Sequence, residues 1–341
     1  MIKYLPILTI FFCLSIKANV TELKLVEGCR IFDWQSRTLG QYPGSFCHFF
    51  TDGSFISADY HSLKFFTKDN QVKWEISGGF HHQIKVSPDG KRILALGSTV
   101  IINKGVKYRA DKFYVINLAG KILHEQTADV VFAQVKVPWI GWHAPRWAQE
   151  QEEALKNELS HFNSIYEIPT LKTGKAVESF TAGDIIINSL VAGGFVLSAD
   201  LKTVKHVIKL NEFSHNHSLH DLQVLPNGHL LYFNNNSGDS DSENAYSTID
   251  ELDFEKKKLV FEFLAKPREL FHSRFAGGVI ALDDDRLLFS GEMSGLFLYS
   301  RRQKKIISSS SAAHFILSTH RTVQDVKPLK HPEFLVSRGV R

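Results

Sequence analysis

One kind of β-hairpin recurs along the chain, and this repeat limits the folds that the chain can adopt. Two copies are nearly regular, at residues 82–96 and 215–236, with the turn sequences Pro-Asp-Gly and Pro-Asn-Gly. Apolar residues alternate with polar residues before each turn, which is typical of a half-buried strand. Less regular copies begin at His161 and Gly278. A hairpin that returns at intervals indicates a fold built from repeated units.

A second type of hairpin, with a charged tip, follows each copy of the first, for example at residues 296–307. Two hairpins make a four-stranded sheet, and a series of such sheets is typical of a β-propeller. Strand-like segments near the two ends of the sequence complete a sixth unit, in addition to units that begin near residues 45, 81, 161, 217 and 272. We therefore predict an all-β fold, a six-bladed β-propeller closed by pairing between these two segments. The length also allows seven blades at roughly 40–50 residues each.

The segment 129–160 is longer than a connection between blades requires. Pro145 is followed there by a run of strong helix formers, and proline suits the first turn of a helix. We predict one helix, within about residues 143–160, that is inserted between blades and covers one face. Because this insertion has no features of a separate domain, residues 19–341 are predicted to form a single propeller domain.

Residues 1–18 have the features of an export signal. Lys3 precedes an apolar run from Tyr4 to Ile16, which is too short to span a bilayer comfortably. No later segment reaches the roughly 18 continuous apolar residues of a spanning helix. We therefore predict a cleaved signal peptide, a secreted or periplasmic protein and no membrane span. The sequence leaves the oligomeric state open.

Charge and cysteine content restrict the possible partners and the compartment. The formal net charge is +4, and two of the positive charges lie in the predicted signal peptide. A nearly neutral chain without a large basic block argues against a nucleic-acid partner. Cys29 and Cys47 remain after the signal peptide. In an exported protein an even number of cysteines favours a disulfide between them, with two buried thiols as the alternative.

Four histidines occupy similar places in different repeat units. Each stands six or eight residues before a proline that marks a turn: His82, His161, His220 and His320. The first strand of every blade lines the central channel of a propeller, so side chains at these strand starts gather around one end of the channel. Arg274 lies slightly further upstream in the fifth unit. These residues are predicted to share one anion-binding pocket, although a single histidine on an inner strand is more often a core residue.

Two other clusters have the residue types of metal sites. His215 and His217 stand close to His220 and Asp221, but alternation along a strand would turn only the first two to one side. The segment 239–243 resembles part of a calcium loop without its glycine and final glutamate at the expected spacing. We therefore predict no bound metal and no other cofactor.

Several stretches in the second half of the chain resemble one enzyme family. They begin His161-Phe-Asn-Ser-Ile, His220-Asp-Leu-Gln-Val-Leu-Pro-Asn-Gly and Glu251-Leu-Asp-Phe-Glu, and Arg274-Phe-Ala-Gly-Gly-Val adds to the likeness. These motifs resemble the arylsulfotransferase (arylsulfate sulfotransferase) family of six-bladed propellers. The resemblance covers roughly residues 155–330.

The resemblance implies transfer of a sulfuryl group from an aryl sulfate to a phenolic acceptor, through a transient sulfohistidine and without a nucleotide cofactor. A neutral imidazole nitrogen can attack sulfur, and cationic neighbours stabilise charge on the sulfuryl oxygens and on the leaving phenolate. The partner is then a small aromatic sulfate or a phenol. Together with the histidine pattern, this predicts three catalytic residues, His161, His220 and His320, and three substrate-binding residues, Arg274, His82 and Arg321.

The nucleophile of the family has no counterpart in this chain. It is expected on a glycine-rich strand of the following blade, where Glu292 or Gly295 stands here. Two function classes therefore stay open. The first is an exported enzyme that transfers a sulfuryl group. The second is a catalytically degenerate propeller that binds an anionic or aromatic ligand, or a protein partner, through the same channel mouth.

Overall fold

The fold is a ring of small antiparallel sheets, as expected for a β-propeller. The computed structural model describes residues 24–27, 29–33, 37–136, 142–143, 157–172, 179–190, 192–209, 219–235, 246–265, 271–273, 277–291, 295–310, 321–323 and 336–338. The predicted all-β class is confirmed, since one short helix accompanies the strands in these ranges.

Three strands precede the blades: β1 (Lys24–Glu27), β2 (Arg30–Asp33) and β3 (Thr38–Gln41). Blade 1 contains β4 (Phe46–Phe49), β5 (Phe55–Ala58), β6 (Ser62–Phe66) and β7 (Val72–Ser77). Blade 2 contains β8 (Gly79–Val86), β9 (Arg92–Asn103), β10 (Val106–Asn117) and β11 (Ile122–Thr127). The chain then forms α1 (Ala128–Val135) and two short strands that extend blade 2, β12 (Trp142–His143) and β13 (Asn157–Glu158).

Blade 3 contains β14 (Phe162–Glu167), β15 (Ile185–Ser189), β16 (Gly193–Leu197) and β17 (Val204–Ile208). Blade 4 contains β18 (Leu219–Val224), β19 (Leu230–Asn234), β20 (Thr248–Asp253) and β21 (Lys258–Leu264). Blade 5 contains β22 (Gly277–Ala281), β23 (Arg286–Gly291), β24 (Gly295–Ser300) and β25 (Lys305–Ser310). The last described strands are β26 (Arg321–Val323) and β27 (Val336–Arg338).

The number of small antiparallel sheets in the ring is five, and the prediction of six such blades is corrected accordingly. The strands near the two ends of the sequence form a further sheet in the order β26-β27-β1-β2-β3, which we call the closing sheet. It is mixed, because β1 pairs with β27 in parallel through Leu25 and Val336. The closing sheet contacts blade 5 through β26 and blade 1 through β27.

The blades are held together by apolar side chains on both faces of each sheet. Successive strand residues point to opposite faces, so a strand packed between two neighbouring blades carries apolar residues at successive positions. In β15, Ile185 and Ile187 enter the buried cluster shared with blade 2, whereas Ile186 enters the cluster shared with blade 4. The strand β21, at the outer edge of blade 4, instead alternates between exposed and partly buried residues.

The described helix lies outside the range predicted for one. Most of the predicted insertion, residues 144–156, is not among the described residues, and the ends of its predicted range form the strands β12 and β13. α1 buries Ala128, Val131 and Phe132, which share one face of a helix because they are three and four residues apart. It ends at Lys136, which adopts a left-handed conformation with φ 55°.

The predicted disulfide between Cys29 and Cys47 is confirmed, with Cα atoms 5.0 Å apart. Cys29 directly precedes β2 of the closing sheet, and Cys47 lies in β4 of blade 1. The bond therefore joins the closing sheet to its neighbour. The predicted signal peptide, residues 1–18, lies outside the described residues. Within the described ranges, no helix has the length and apolarity needed to cross a membrane.

Candidate functional site

Two of the predicted site histidines lie side by side. His82, near the start of β8, and His161, directly before β14, have ring centroids 5.0 Å apart with their planes nearly perpendicular. They come from neighbouring blades, 2 and 3. The positions that the hairpin repeat assigned to strand starts therefore do bring these two side chains together.

Acidic side chains fix the imidazoles of this cluster. Glu158 accepts hydrogen bonds from His161 Nδ1 at 3.1 Å and from Arg109 at 2.8 Å. His81 Nε2 lies 3.0 Å from Asp111 Oδ1, and its Nδ1 contacts the Nδ1 of His82. Burial and the nearby Arg109 charge lower the pKa of His81, so this imidazole is neutral at physiological pH.

His220 is buried in blade 4 with 1% of its surface exposed. Its Nδ1 donates to Asn235 Oδ1 at 2.6 Å, and the Asn235 amide donates in turn to the Ser273 carbonyl at 2.8 Å. The asparagine of the His161-Phe-Asn segment, Asn163, donates to the Leu219 carbonyl at 2.6 Å. That contact ties blade 3 to the start of β18, so Asn163 has a structural role in joining blades.

The other predicted site residues are described less completely. Arg274 and His320 lie outside the described residues, and Arg321 is described only as the first backbone position of β26. No group of three or more His, Cys, Asp or Glu residues that could hold a metal ion occurs in the described part of the chain.

A cavity of about 840 Å³ lies at the other end of the inner strands. All five blades contribute to its wall, at or near the turns that follow their inner strands. In β8, for example, His82 belongs to the histidine cluster, whereas Lys85 and Val86 line the cavity. In β18, Gln223 and Val224 line it. The cavity is therefore separate from the pocket that the sequence predicted.

Lys85 and Tyr166 face each other in the wall of this cavity. The Lys85 Nζ atom lies 4.1 Å from the centroid of the Tyr166 ring, a cation–π contact between blades 2 and 3. The Tyr166 hydroxyl donates to Asp221 Oδ1 at 3.0 Å. Only 6% of the Lys85 surface is exposed, which is unusual because lysine is seldom buried without a partner.

Asp221 is the point where the inner strands of four blades meet. It accepts hydrogen bonds from Gln83 Nε2 at 2.8 Å, from the Tyr166 hydroxyl and from the Val279 backbone N–H at 3.2 Å. These donors belong to blades 2, 3 and 5, while Asp221 itself belongs to blade 4. Gln83 also accepts from the Ile165 N–H at 2.8 Å, which adds a second link between blades 2 and 3.

Burial brings the pKa values of the two charged groups in this network close together. It lowers the pKa of Lys85 to about 7, against the opposing effect of the Asp221 charge. It raises the pKa of Asp221 to about 6, although Lys85 and the hydrogen bonds from Tyr166 and Gln83 act in the other direction. His48, on the blade 1 side of the cavity, has a pKa of about 3, because it is buried and because Lys85 repels its charged form. Near neutral pH both Lys85 and Asp221 therefore change protonation state readily.

The remaining charged side chains of the cavity wall are all paired. Lys172 lies 3.5 Å from Asp284, and the other pairs are Glu167 with Arg92 at 2.7 Å, Asp283 with Arg286 at 2.6 Å, and Arg301 with Glu251. Lys85 forms no ion pair with any carboxylate of the described residues, and the charge of Asp221 acts on it without a direct contact. Lys85 is thus a cation of the cavity wall without a direct counter-ion.

The sequence contains a signal for Lys85 that the histidine pattern obscures. Lys85 and Gln223 occupy equivalent places in the two regular hairpins, three residues before the turn proline. A polar residue that alternates with apolar ones on an inner strand points into the channel. A lysine there is notable, because its neighbours Ile84 and Val86 mark a buried strand.

Comparison with known proteins bears on the fold alone. No protein-family model and no curated protein matches this chain. A solved structure of a protein of unknown function from Bacteroides caccae is 13% identical, covers 93% of this chain and 98% of its own, and superposes with a TM-score of 0.54. Sqt1 of Saccharomyces cerevisiae is 10% identical over 92% of this chain and 90% of its own, with a TM-score of 0.47. The likeness to the Bacteroides caccae protein shows a shared fold.

Proposed function

We propose that this protein is a ligand-binding propeller whose cavity takes a small aromatic anion, with Lys85 as the counter-ion of the ligand. The observation that supports this proposal is the unpaired ammonium group in the cavity wall. Burying an ammonium group without a counter-ion costs several kcal/mol of folding free energy. A carboxylate or sulfate placed next to Lys85 offsets this cost, so the cavity favours anions.

The shape and the apolar lining of the cavity support an aromatic ligand. Its volume, about 840 Å³, lies within the roughly 300–1,000 Å³ typical of small-molecule sites. Phe49, Phe50 and Tyr166 contribute aromatic surface to the wall. Aromatic side chains accept ring-shaped ligands in offset or edge-to-face contact. An aromatic carboxylate such as benzoate combines the two features and is small enough to enter.

Benzoate binding measured by calorimetry tests the proposal. At about pH 6, where Lys85 is charged, the variant Lys85→Met is expected to bind benzoate at least ~10-fold more weakly, because a charged hydrogen bond contributes roughly 1.5–3 kcal/mol. Lys85→Arg keeps the charge and should bind within a few fold of the parent. Benzyl alcohol, which lacks the charge, should not distinguish Lys85→Met from the parent.

Lys172→Met is the matched control, because Lys172 lines the same cavity but is 68% exposed and paired with Asp284. It should leave benzoate affinity nearly unchanged. Equal affinity of the parent and Lys85→Met for benzoate would show that Lys85 is not the anchor, and the proposal would then fail.

A second candidate function is the transfer of a sulfuryl group at the histidine cluster. It is supported by the contact between His82 and His161 and by the hydrogen bond that orients His161 against Glu158. A carboxylate on one imidazole nitrogen raises the basicity of the other, which suits a nucleophile or a proton carrier. The residues proposed for this reaction are those of the sequence prediction, including Arg274 and His320.

An assay with p-nitrophenyl sulfate as donor and phenol as acceptor tests this second function. Turnover, together with an acid-labile sulfohistidine on His161 or His82, would support it. Replacing the histidine that carries the adduct by glutamine should then abolish it. A protein that binds aromatic anions through Lys85 and shows neither turnover nor adduct is the catalytically degenerate propeller instead.

We also propose that residues 1–18 direct export of the protein to an oxidising compartment. The disulfide between Cys29 and Cys47 supports this assignment, because such bonds persist in secreted and periplasmic proteins and are rare in the reducing cytosol. Amino-terminal sequencing of protein recovered from outside the cytoplasm should begin near Asn19. A start at Met1 would contradict cleavage.

Finally, we propose that the closing sheet closes the ring of five blades between blade 5 and blade 1. It contacts blade 5 through β26 and blade 1 through β27, so it fills the gap between the last and the first blade. Unlike the five blades, it combines strands that are far apart in the sequence, β1–β3 and β26–β27.

A further inference from the structure

Lys85 differs from the other lysines of the described residues in its surroundings. It is the one lysine with a buried side chain among them, and it lines an open cavity. Three titratable groups face it from the inner strands of other blades: Asp221 on β18, Tyr166 on β14 and His48 on β4. None of them forms an ion pair with it. An amine in such a place has the features of a nucleophile as well as those of a charge anchor.

We propose that Lys85 condenses with the carbonyl group of an oxo-acid ligand, an aldehyde or ketone that also carries a carboxylate, and holds it as an imine in the cavity. This inference rests on the proposed anion site and narrows its ligand class. The carboxylate brings the ligand to the cavity, and the carbonyl carbon meets Nζ. The protonated imine that results keeps a positive charge at this position, so the carboxylate keeps its counter-ion.

The reaction balances without any further reagent. The free electron pair of Nζ forms a bond to the carbonyl carbon, and the carbonyl oxygen takes up a proton to give a carbinolamine. The carbon–oxygen bond then breaks, and the oxygen leaves as water with the two hydrogens of the amine. The product is a carbon–nitrogen double bond, whose nitrogen takes up one proton from solvent to give the protonated imine, and nothing is oxidised or reduced. Hydrolysis reverses the sequence and releases the ligand.

The groups beside Lys85 suit both proton transfers. Nucleophilic attack needs the free amine, and with a pKa of about 7 roughly half of Lys85 is unprotonated at neutral pH. An ordinary lysine with a pKa of ~10.4 has roughly a thousandfold less free amine there. Loss of water from the carbinolamine needs an acid. Asp221, whose pKa is raised to about 6 by burial, is partly protonated near neutral pH and interacts electrostatically with Lys85, so it can supply this proton.

Reductive trapping with glyoxylate, a small anionic aldehyde, tests the proposal on the unmodified protein. Cyanoborohydride reduces an imine of glyoxylate to a stable carboxymethyl group, and peptide mapping by mass spectrometry locates it. With limiting glyoxylate at neutral pH, Lys85 is expected to be modified at least ~10-fold faster than Lys172, the exposed lysine of the same cavity. Benzoate should protect Lys85 and leave Lys172 unaffected.

The pH dependence gives a second, independent readout. The trapping rate at Lys85 should rise with pH and level off above about pH 7, whereas benzoate affinity should fall over the same range, since one needs the amine and the other the ammonium. Modification of Lys85 no faster than of Lys172, while benzoate still binds through Lys85, would overturn the imine and leave the anion site standing. Rapid trapping at Lys85 that benzoate neither competes with nor slows would instead overturn the anion site.

Discussion

Lys85 illustrates how a single buried side chain couples function to stability. Its strand neighbours Ile84 and Val86 are apolar, yet the inner position that it occupies faces the cavity. Burial disfavours the ammonium form, and this cost is carried by the folded state alone. A residue that destabilises the fold and lines a cavity is more readily explained by ligand binding than by packing.

The stability of the protein should therefore depend on pH through Lys85. The folded-state pKa, about 7, lies below the ordinary value of 10.5. Above the unfolded pKa of 10.5 the amine is neutral in both states, and burial does not reduce the free energy of unfolding. As the pH falls below that value the free energy of unfolding decreases, and the decrease is complete below the folded pKa. Lys85→Met removes this penalty and should raise the free energy of unfolding by roughly 5 kcal/mol at about pH 6. The gain should shrink as the pH approaches 10.

Urea denaturation at a series of pH values measures the difference in free energy of unfolding between Lys85→Met and the parent protein. Lys172→Met, at an exposed site of the same cavity, should show no such trend. A Lys85→Met effect that stays constant from about pH 6 to about pH 10 would mean that the amine is not penalised by burial.

Asp221 is expected to set the pH range in which the cavity binds anions. Its negative charge raises the pKa of Lys85, so Asp221→Asn should lower that pKa below its present value of about 7. The midpoint, the pH at which half of the benzoate affinity is lost, should then decrease. Asparagine also tolerates the left-handed backbone of this position, φ 53°. Its amide nitrogen cannot accept the hydrogen bond that Asp221 Oδ2 accepts from the Val279 N–H, so the variant loses the charge and that bond.

Calorimetric titration of benzoate across pH locates this midpoint. Asp283→Asn serves as the control, because Asp283 lines the same cavity but is paired with Arg286. If both variants shift the midpoint equally, the effect comes from general charge in the cavity and not from Asp221.

At the scale of the strand, the packing of one blade on the next requires small residues at defined places. Gly194 in β16 faces blade 4, and a Cβ atom added there would lie 2.5 Å from Leu222 Cδ2 and 3.2 Å from Ile208 Cβ. Leu222 belongs to β18, whose inner face carries Asp221. Close approach of blades 3 and 4 thus positions the central hydrogen bonds as well as the core.

Gly194→Ala should lower the free energy of unfolding by about 1–3 kcal/mol, as expected when a filled core receives an extra methyl group. Leu222→Ala alone should cost about 2–5 kcal/mol because it leaves a cavity. In the double variant the added methyl occupies part of that cavity, so the combined loss should be smaller than the sum. Chemical denaturation of the two single variants and the double variant completes the cycle.

A second pair of substitutions tests whether the coupling between Gly194 and Leu222 is local. Leu287 belongs to the buried cluster between blades 4 and 5, away from Gly194. Gly194→Ala and Leu287→Ala should therefore add. Strict additivity of Gly194→Ala with Leu222→Ala as well would disprove the proposed contact between β16 and β18.

At the scale of the whole molecule, closure depends on strands from distant parts of the sequence. The single described pair between β1 and β27 joins Leu25 to Val336, and the disulfide ties the same sheet to blade 1. A covalent bond at this place compensates for a short strand pairing. Removal of the disulfide should therefore lower the free energy of unfolding by more than the entropy of closing one loop accounts for.

Removal of the disulfide should lower the free energy of unfolding by about 3 kcal/mol or more, the value expected for a loop of this size. The two cysteines are 18 residues apart. Guanidinium unfolding of the protein with and without reductant measures this loss. The Cys29→Ser/Cys47→Ser variant should be as stable as the reduced protein, and reductant should not change its unfolding curve. Identical curves for oxidised and reduced protein would show that closure does not rely on the bond.

Much of the fold could be predicted from the sequence because it is encoded in local patterns. Alternating apolar residues and Pro-Gly turns specify strands and hairpins within about fifteen residues, so the all-β class and the repeated sheets follow from them. The paired cysteines and the proximity of His82 to His161 follow in the same way, from residue type and from equivalent positions in the repeat. The helix α1 escaped prediction because its eight residues carry no side-chain cap and follow directly on a strand.

The cavity and its chemistry were decided by tertiary structure. Gln83 and Asp221 are 138 residues apart in the sequence and 2.8 Å apart in the ring. The pKa values of Lys85 and Asp221 arise from burial by side chains of several blades, which no local pattern records. The sequence identified which residues begin the inner strands, whereas the closing of the ring determined which end of those strands encloses a cavity. The physical reason is that strand formation depends on neighbours along the chain, and desolvation depends on neighbours in space.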